Sequence, residues 1–125
     1  MENYTNIEAI ETGTVQIEKI VRAFANELVQ QLGSQIYEII WYGSTARGEA
    51  TEDSDVDVAV ISERDDYIFR DKVWTVSSGA SLLYDRLIDA RIIASQKYYG
   101  EWGRLSLLVD EIAKDGILIW SRNTR

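Results

Sequence analysis

The sequence predicts a mixed α/β domain of about four strands and three helices around one core, and three observations carry that prediction. Apolar residues recur at helical spacing before Gly33 and again after Lys97, and two β-branched runs flank a polar loop near the middle of the chain. The length, 125 residues, and the balance of 46% hydrophobic and 27% charged residues match a single folded unit. Residues 1–125 are read as one domain.

The elements follow in order. From Thr14 to Leu32, the residues Ile17, Ile20, Val21, Phe24, Leu28, Val29 and Leu32 repeat at intervals that put them on one helix face, and Gly33 stands where that helix stops. "QIYEIIWY", Gln35 to Tyr42, is rich in β-branched and aromatic residues and reads as a strand ending at Gly43. "TARGEA" has room for a short helical turn beside the three main helices, and "VDVAVI" is the next strand, neighbouring the first. Asp65 to Tyr84 reads as helix, because acids at its start suit a helix N-terminus, although Val-Trp-Thr-Val within it also suits extended chain. "LIDARIIA", Leu87 to Ala94, is a third strand. Tyr98 to Lys114 reads as one helix through Tyr98, Trp102, Leu105, Leu108, Val109 and Ile112, and "ILIW" after Gly116 closes the domain as a strand. Tyr98, Tyr99 and Trp102 read as core packing, with any that stay uncovered forming a partner patch.

Composition excludes several chemistries. Histidine and cysteine are absent, so imidazole or thiolate metal sites, cysteine nucleophiles and histidine-based triads are ruled out. Catalysis has to use carboxylates, hydroxyls, lysine, arginine or an oxygen-bound metal. Thirteen basic against 21 acidic residues give a net charge of −8, which opposes binding of a long nucleic acid. No apolar run approaches the roughly 20 residues of a membrane span. The opening "MENYTNIEAIE" is acidic rather than a basic leader, so a cytoplasmic location is expected.

The informative stretch is "WYGSTARGEATEDSDVDVAVI", Trp41 to Ile61. In a strand, residues i and i+2 share a face, so Asp55 and Asp57 project together while Val56, Val58 and Val60 face the other way. Two adjacent carboxylates repel unless a cation lies between them, and magnesium, a hard ion, prefers oxygen ligands shared with substrate phosphates. Gly43-Ser44 directly follows the first strand: the glycine admits a phosphate close to the backbone and the serine offers a hydroxyl. Arg47 adds a guanidinium suited to phosphate, or else pairs with Glu49 or Asp53 on a surface loop. A Gly-Ser pair alone is usually a turn, and Asp-x-Asp alone is often a solvated strand end; their combination at this spacing points to one site.

Gly43-Ser44, ten residues, then Asp55-Val56-Asp57 resembles the signature of the polymerase β nucleotidyltransferase superfamily. "GSTARGEATEDSDVDVAV" is similar to its minimal, single-domain branch, and the resemblance extends over almost the whole chain to "DGILIW". The resemblance implies the polymerase β-like α+β fold, a small mixed sheet with helices packed on it. It also implies nucleotide binding at Gly43, Ser44 and Arg47, and a third carboxylate on a neighbouring strand, which Asp89 matches. Asp55, Asp57 and Asp89 would then hold one or two Mg2+ ions and serve as the catalytic acids, Asp89 helping to generate the nucleophile. Members of the branch are often encoded beside a HEPN-domain protein, act as its antitoxin, and in some cases transfer AMP from ATP to a tyrosine of that toxin. Two alternatives stay open: an antitoxin that neutralises its partner by binding alone, and a nucleotidyltransferase for a small molecule such as an aminoglycoside. Arg91 departs from the expected pattern, since it shares the Asp89 face and either neutralises that acid or reaches towards a phosphate. Asp85 is a fallback acid placed ahead of the strand.

Overall fold

A computed structural model describes residues 2–123 of the chain, with side chains described from residue 16 onward. The elements run α1 (Glu2–Leu32), a 3-10 turn (Gly33–Gln35), β1 (Ile36–Tyr42), α2 (Gly43–Ala46), β2 (Val56–Ser62), α3 (Tyr67–Tyr84), β3 (Ile88–Ala94), α4 (Ser95–Tyr98), α5 (Glu101–Leu105), α6 (Leu107–Asp115) and β4 (Ile117–Ser121). All four expected strands are present. They form one mixed sheet in the order β3-β2-β1-β4, with β1 antiparallel to both β2 and β4 and β2 parallel to β3. The parallel pair needs a crossover, and α3 supplies it.

Alternation along the strands separates two cores. Ile39 and Trp41 of β1, Val56, Val58 and Val60 of β2, and Ile88, Ala90 and Ile92 of β3 face α1 and α3. There they meet Ile17, Val21, Phe24, Leu28 and Leu32, the helix face read from the periodicity, with Ile20 and Val29 partly buried beside them. Removing each of these larger side chains from water contributes about 1.5–3 kcal/mol, so this layer dominates the stability. The opposite sheet face holds a smaller cluster of Ile40, Tyr42, Ala59, Ile61, Ile93 and, from α6, Ile112. Asp57 and Asp89 occupy this second face, where the covering is thinner.

Three sequence expectations need correction. The helix expected over Tyr98 to Lys114 is instead α4, α5 and α6. Gly100 is extended (φ −95°, ψ −164°), and Ser106 (φ −89°, ψ 126°) caps α6 by accepting a hydrogen bond from Val109 N–H, so each interrupts the helix despite its apolar period. A side chain at Gly103 would collide with the Tyr98 carbonyl, so the tight packing of α5 on α4 requires glycine there. The aromatic group is not core: Tyr98 is partly buried, with Tyr99 against it edge-on at 4.9 Å, while Tyr99 and Trp102 are 62% and 49% exposed. The "TARGEA" helix closes after Ala46, within a single turn. The Asp65 to Tyr84 expectation holds from Tyr67, with Asp66 as the N-cap accepting from Phe69 N–H. No helix of the described residues is long and apolar enough to cross a membrane.

Candidate functional site

The site is built where β1 ends. Tyr42 is the last residue of the strand and lies in register with Asp57 on β2, which in turn is in register with Asp89 on β3. Sheet pairing alone thus puts Tyr42, Asp57 and Asp89 in one row across three strands. Gly43 then takes φ +81°, a left-handed conformation natural to glycine, and turns the chain into α2. A β-carbon at Gly43 would collide with Asp57 Oδ2, so only glycine lets the turn pack directly against this carboxylate.

Other groups hold the frame. The indole of Trp41, fully buried, donates to Thr45 Oγ1 at 2.8 Å, locking the turn onto the strand that precedes it. Ser44 is half-buried, and among the described residues no hydrogen bond engages its hydroxyl. With only four residues α2 has a weak dipole, so anion contact there rests on individual N–H and hydroxyl groups. Asp55 precedes β2 rather than lying in it, and is exposed on the loop that leads into the strand. That loop is tied by Arg86, which donates to Ser54 O at 3.2 Å and to Thr51 O at 2.9 Å. Sequence reasoning missed Arg86, whose role depends on contacts more than 30 residues away in the chain.

Electrostatics marks Asp57 as the centre. Burial, then repulsion from Asp89, Asp55 and Glu111, pushes its carboxyl up to about 6 against a small opposing pull from Arg91. Tyr42 is pushed above the ordinary phenol range by burial first and by Asp57 next. Glu111 of α6 was also missed; nothing in its local sequence marks it, because the packing of α6 on the sheet brings it near. Arg91 does share the Asp89 face, its Nε 3.3 Å from Asp89 Oδ2. Arg47 pairs with Glu49 at 3.2 Å, the surface partner foreseen, and with Asp115 of α6 at 2.9 Å, which was not. Asp85 lies outside the site as the left-handed C-cap of α3 (φ 51°).

Whether these residues suit a divalent ion is a question of donor chemistry. The donors are all oxygen, and burial together with the neighbouring acids raises the Asp57 carboxyl, a penalty on its charge that a hard cation relieves. The set fits magnesium. As the side chains stand, among the described residues no three acids are drawn tightly enough to grip an ion, and Asp89 is engaged with Arg91. Binding would require Asp55 and Asp89 to close on Asp57.

Comparison with known proteins bears on this geometry. The family model described as "Nucleotidyltransferase domain" matches residues 21–119. Two proteins of Methanocaldococcus jannaschii, both designated protein adenylyltransferases by inference, are similar. One is 40% identical over 52 residues, 41% of this chain and 52% of the relative; the other is 33% identical over 75 residues, 59% and 76%. The match to the first thus spans about half the length of that relative. Among solved structures, a toxin–antitoxin complex with AMP-PNP aligns over 82% of this chain and 74% of its own at a TM-score of 0.59 and 19% identity. A Sulfolobus solfataricus protein, designated a nucleotidyltransferase by inference, aligns over 94% and 90% at 0.56 and 19%. At these identities the structures speak for the fold.

Proposed function

Because the chain belongs to the nucleotidyltransferase domain family, we propose that it transfers AMP from ATP to a hydroxyl, a tyrosine, of a HEPN-domain toxin, and so acts as that toxin's antitoxin in the cytoplasm. The observation that carries this reading is the row Tyr42, Asp57, Asp89 packed against the glycine turn at Gly43. The similar protein adenylyltransferases and the toxin–antitoxin complex with AMP-PNP support it as likenesses.

In this mechanism Gly43 and Ser44 receive the phosphates, the glycine by allowing close approach and the serine by donating its hydroxyl. Arg47 contributes a guanidinium, shared with Glu49 and Asp115. Asp55, Asp57 and Asp89 would hold Mg2+, which when bound neutralises phosphate charge and lowers the pKa of the acceptor hydroxyl. Asp57 is mostly ionised at neutral pH and supplies the fixed negative charge of the site. Asp89, paired with Arg91 in this structure, would turn from that pair towards Asp57 when metal is bound. The hydroxyl gives its proton to Asp89 as its oxygen attacks the α-phosphorus, the bond from that phosphorus to the bridging oxygen breaks, and pyrophosphate departs.

The Arg91–Asp89 pair favours a second reading, in which the protein neutralises its partner by binding alone. Incubation with α-labelled ATP, magnesium and a HEPN partner, beside the Asp55→Asn/Asp57→Asn variant, separates the two. Transfer predicts label on the partner with wild type only. No label despite a stable complex, together with full protection of cells by the double variant, would sink the enzymatic account.

A further inference from the structure

The sheet order makes β3 an edge strand. Hydrogen bonds show which of its groups point outward. Val56 N–H donates to the Leu87 carbonyl at 2.8 Å, so residues 87, 89, 91 and 93 direct their backbone groups to β2, and Ile88, Ala90 and Ile92 direct theirs away from the sheet. Ile88 fits this alternation: its N–H donates to Ser81 Oγ at 3.0 Å and its carbonyl accepts from Ser77 Oγ at 3.4 Å, both from α3. Further along, α3 no longer covers the edge. Among the described residues no hydrogen bond engages the outward N–H and carbonyl of Ala90 or Ile92.

This uncovered stretch floors a groove of about 540 Å³. Residues 89 to 93 all line it, including Ala90 and Ile92, whose side chains lie in the main core and which therefore meet it through their backbone. Its walls carry Arg70 and Trp74 from α3 and Lys97 and Trp102 from α4 and α5. Arg70 and Lys97 share one acid, Asp65, at 3.8 and 3.5 Å, and Arg91 faces Asp89 at 3.3 Å. Three cations against two acids make the groove locally positive on a chain of net charge −8. An exposed edge with free donors and acceptors is a template for another strand.

We propose that an extended, acidic segment of the acceptor protein pairs with β3 at Ala90 and Ile92 as a fifth strand, its apolar side chains on one face against Trp74 of α3 and its acidic ones on the other face against Lys97 of α4. Such strand addition takes its affinity from main-chain hydrogen bonds and its specificity from alternate side chains. A segment on this edge runs past Asp89, beside Asp57, so a hydroxyl it carries is delivered to the site. That delivery rests on the transferase reading; the strand pairing does not. Pairing of two copies through β3 is disfavoured, because it would bring two positive grooves together.

The test uses the whole protein and a short synthetic peptide of alternating glutamate and valine with one tyrosine, beside a lysine-for-glutamate counterpart. Read by amide exchange without nucleotide, the acidic peptide is expected to slow exchange at Ala90 and Ile92 by about tenfold or more. The lysine peptide is expected to bind about tenfold more weakly or worse. Ala90→Pro removes only an outward N–H and should abolish this binding with the fold intact by circular dichroism. Should that variant not fold, Lys97→Glu is expected to weaken the acidic peptide and favour the lysine one. Unaffected amides with every peptide, equal binding of both peptides, or protection of the same amides by concentration-dependent self-association would each overturn the proposal. Pairing without label transfer would count against the transferase reading alone, and label on the peptide with unaffected amides against the edge alone.

Discussion

Asp57 is held at an electrostatic disadvantage that the proposed metal site would relieve. Its folded-state carboxyl, near 6, lies above the 3.8 of an unperturbed aspartate. The folded state therefore holds this proton more tightly than the unfolded chain, and wild-type stability falls as pH rises between these values. Asp57→Asn removes the effect. In the absence of divalent ions the variant should match wild type near pH 4 and exceed it at pH 7 by about 1 kcal/mol, after allowance for solvent screening at a half-exposed group. Label transfer should fall at least about a hundredfold in the same protein. Thermal unfolding at the two pH values checks the first statement and α-labelled ATP the second. Gly43→Ala should lower stability by about 1–2 kcal/mol through its positive φ, and displace Asp57 enough to cut transfer at least about tenfold. Urea unfolding and the labelling assay report the two losses separately. At this scale the sequence was readable where geometry is local: i, i+2 alternation puts Asp57 opposite Val56 and Val58, and Arg91 beside Asp89. Glu111, Asp115 and Arg86 were not readable, since each reaches its place through tertiary packing.

Among the elements, the strands were the more legible, because a β-branched run bounded by glycine has few alternatives. The stretch after Lys97 shows the opposite case. Its apolar residues keep a helical period across Gly100 and Ser106, and the period concealed two breaks that the glycine and the serine individually signal. Ser106→Ala, which deletes the cap of α6, should cost about 1 kcal/mol in chemical denaturation. Because α6 carries Glu111 and Asp115 towards the site, the variant should also change the magnesium dependence of transfer. Arg86→Ala tests another connection, that between the start of β3 and the loop bearing Asp55. Several-fold more magnesium should be needed for half-maximal transfer, with little change in unfolding midpoint, as a magnesium titration of both proteins would show.

For the whole molecule, nucleotide and metal at the proposed site should act as stabilisers. Mg-ATP at about a hundred times its dissociation constant should add about 2.7 kcal/mol to wild-type stability and raise the melting temperature accordingly. The Asp55→Asn/Asp57→Asn protein should show no such rise in the same thermal scan. The α3 crossover has a further consequence. Gly43 and Asp57 come together when the β1–β2 antiparallel pair forms from residues close in sequence, whereas Asp89 joins them only when the parallel pairing is complete. Parallel pairing across a helix is non-local, and loop-closure entropy makes it slow. On the proposed reading, catalytic competence therefore belongs to the last stage of folding: a refolding chain can recover the β1–β2 hairpin and its Gly43–Asp57 contact before it can turn over a single nucleotide.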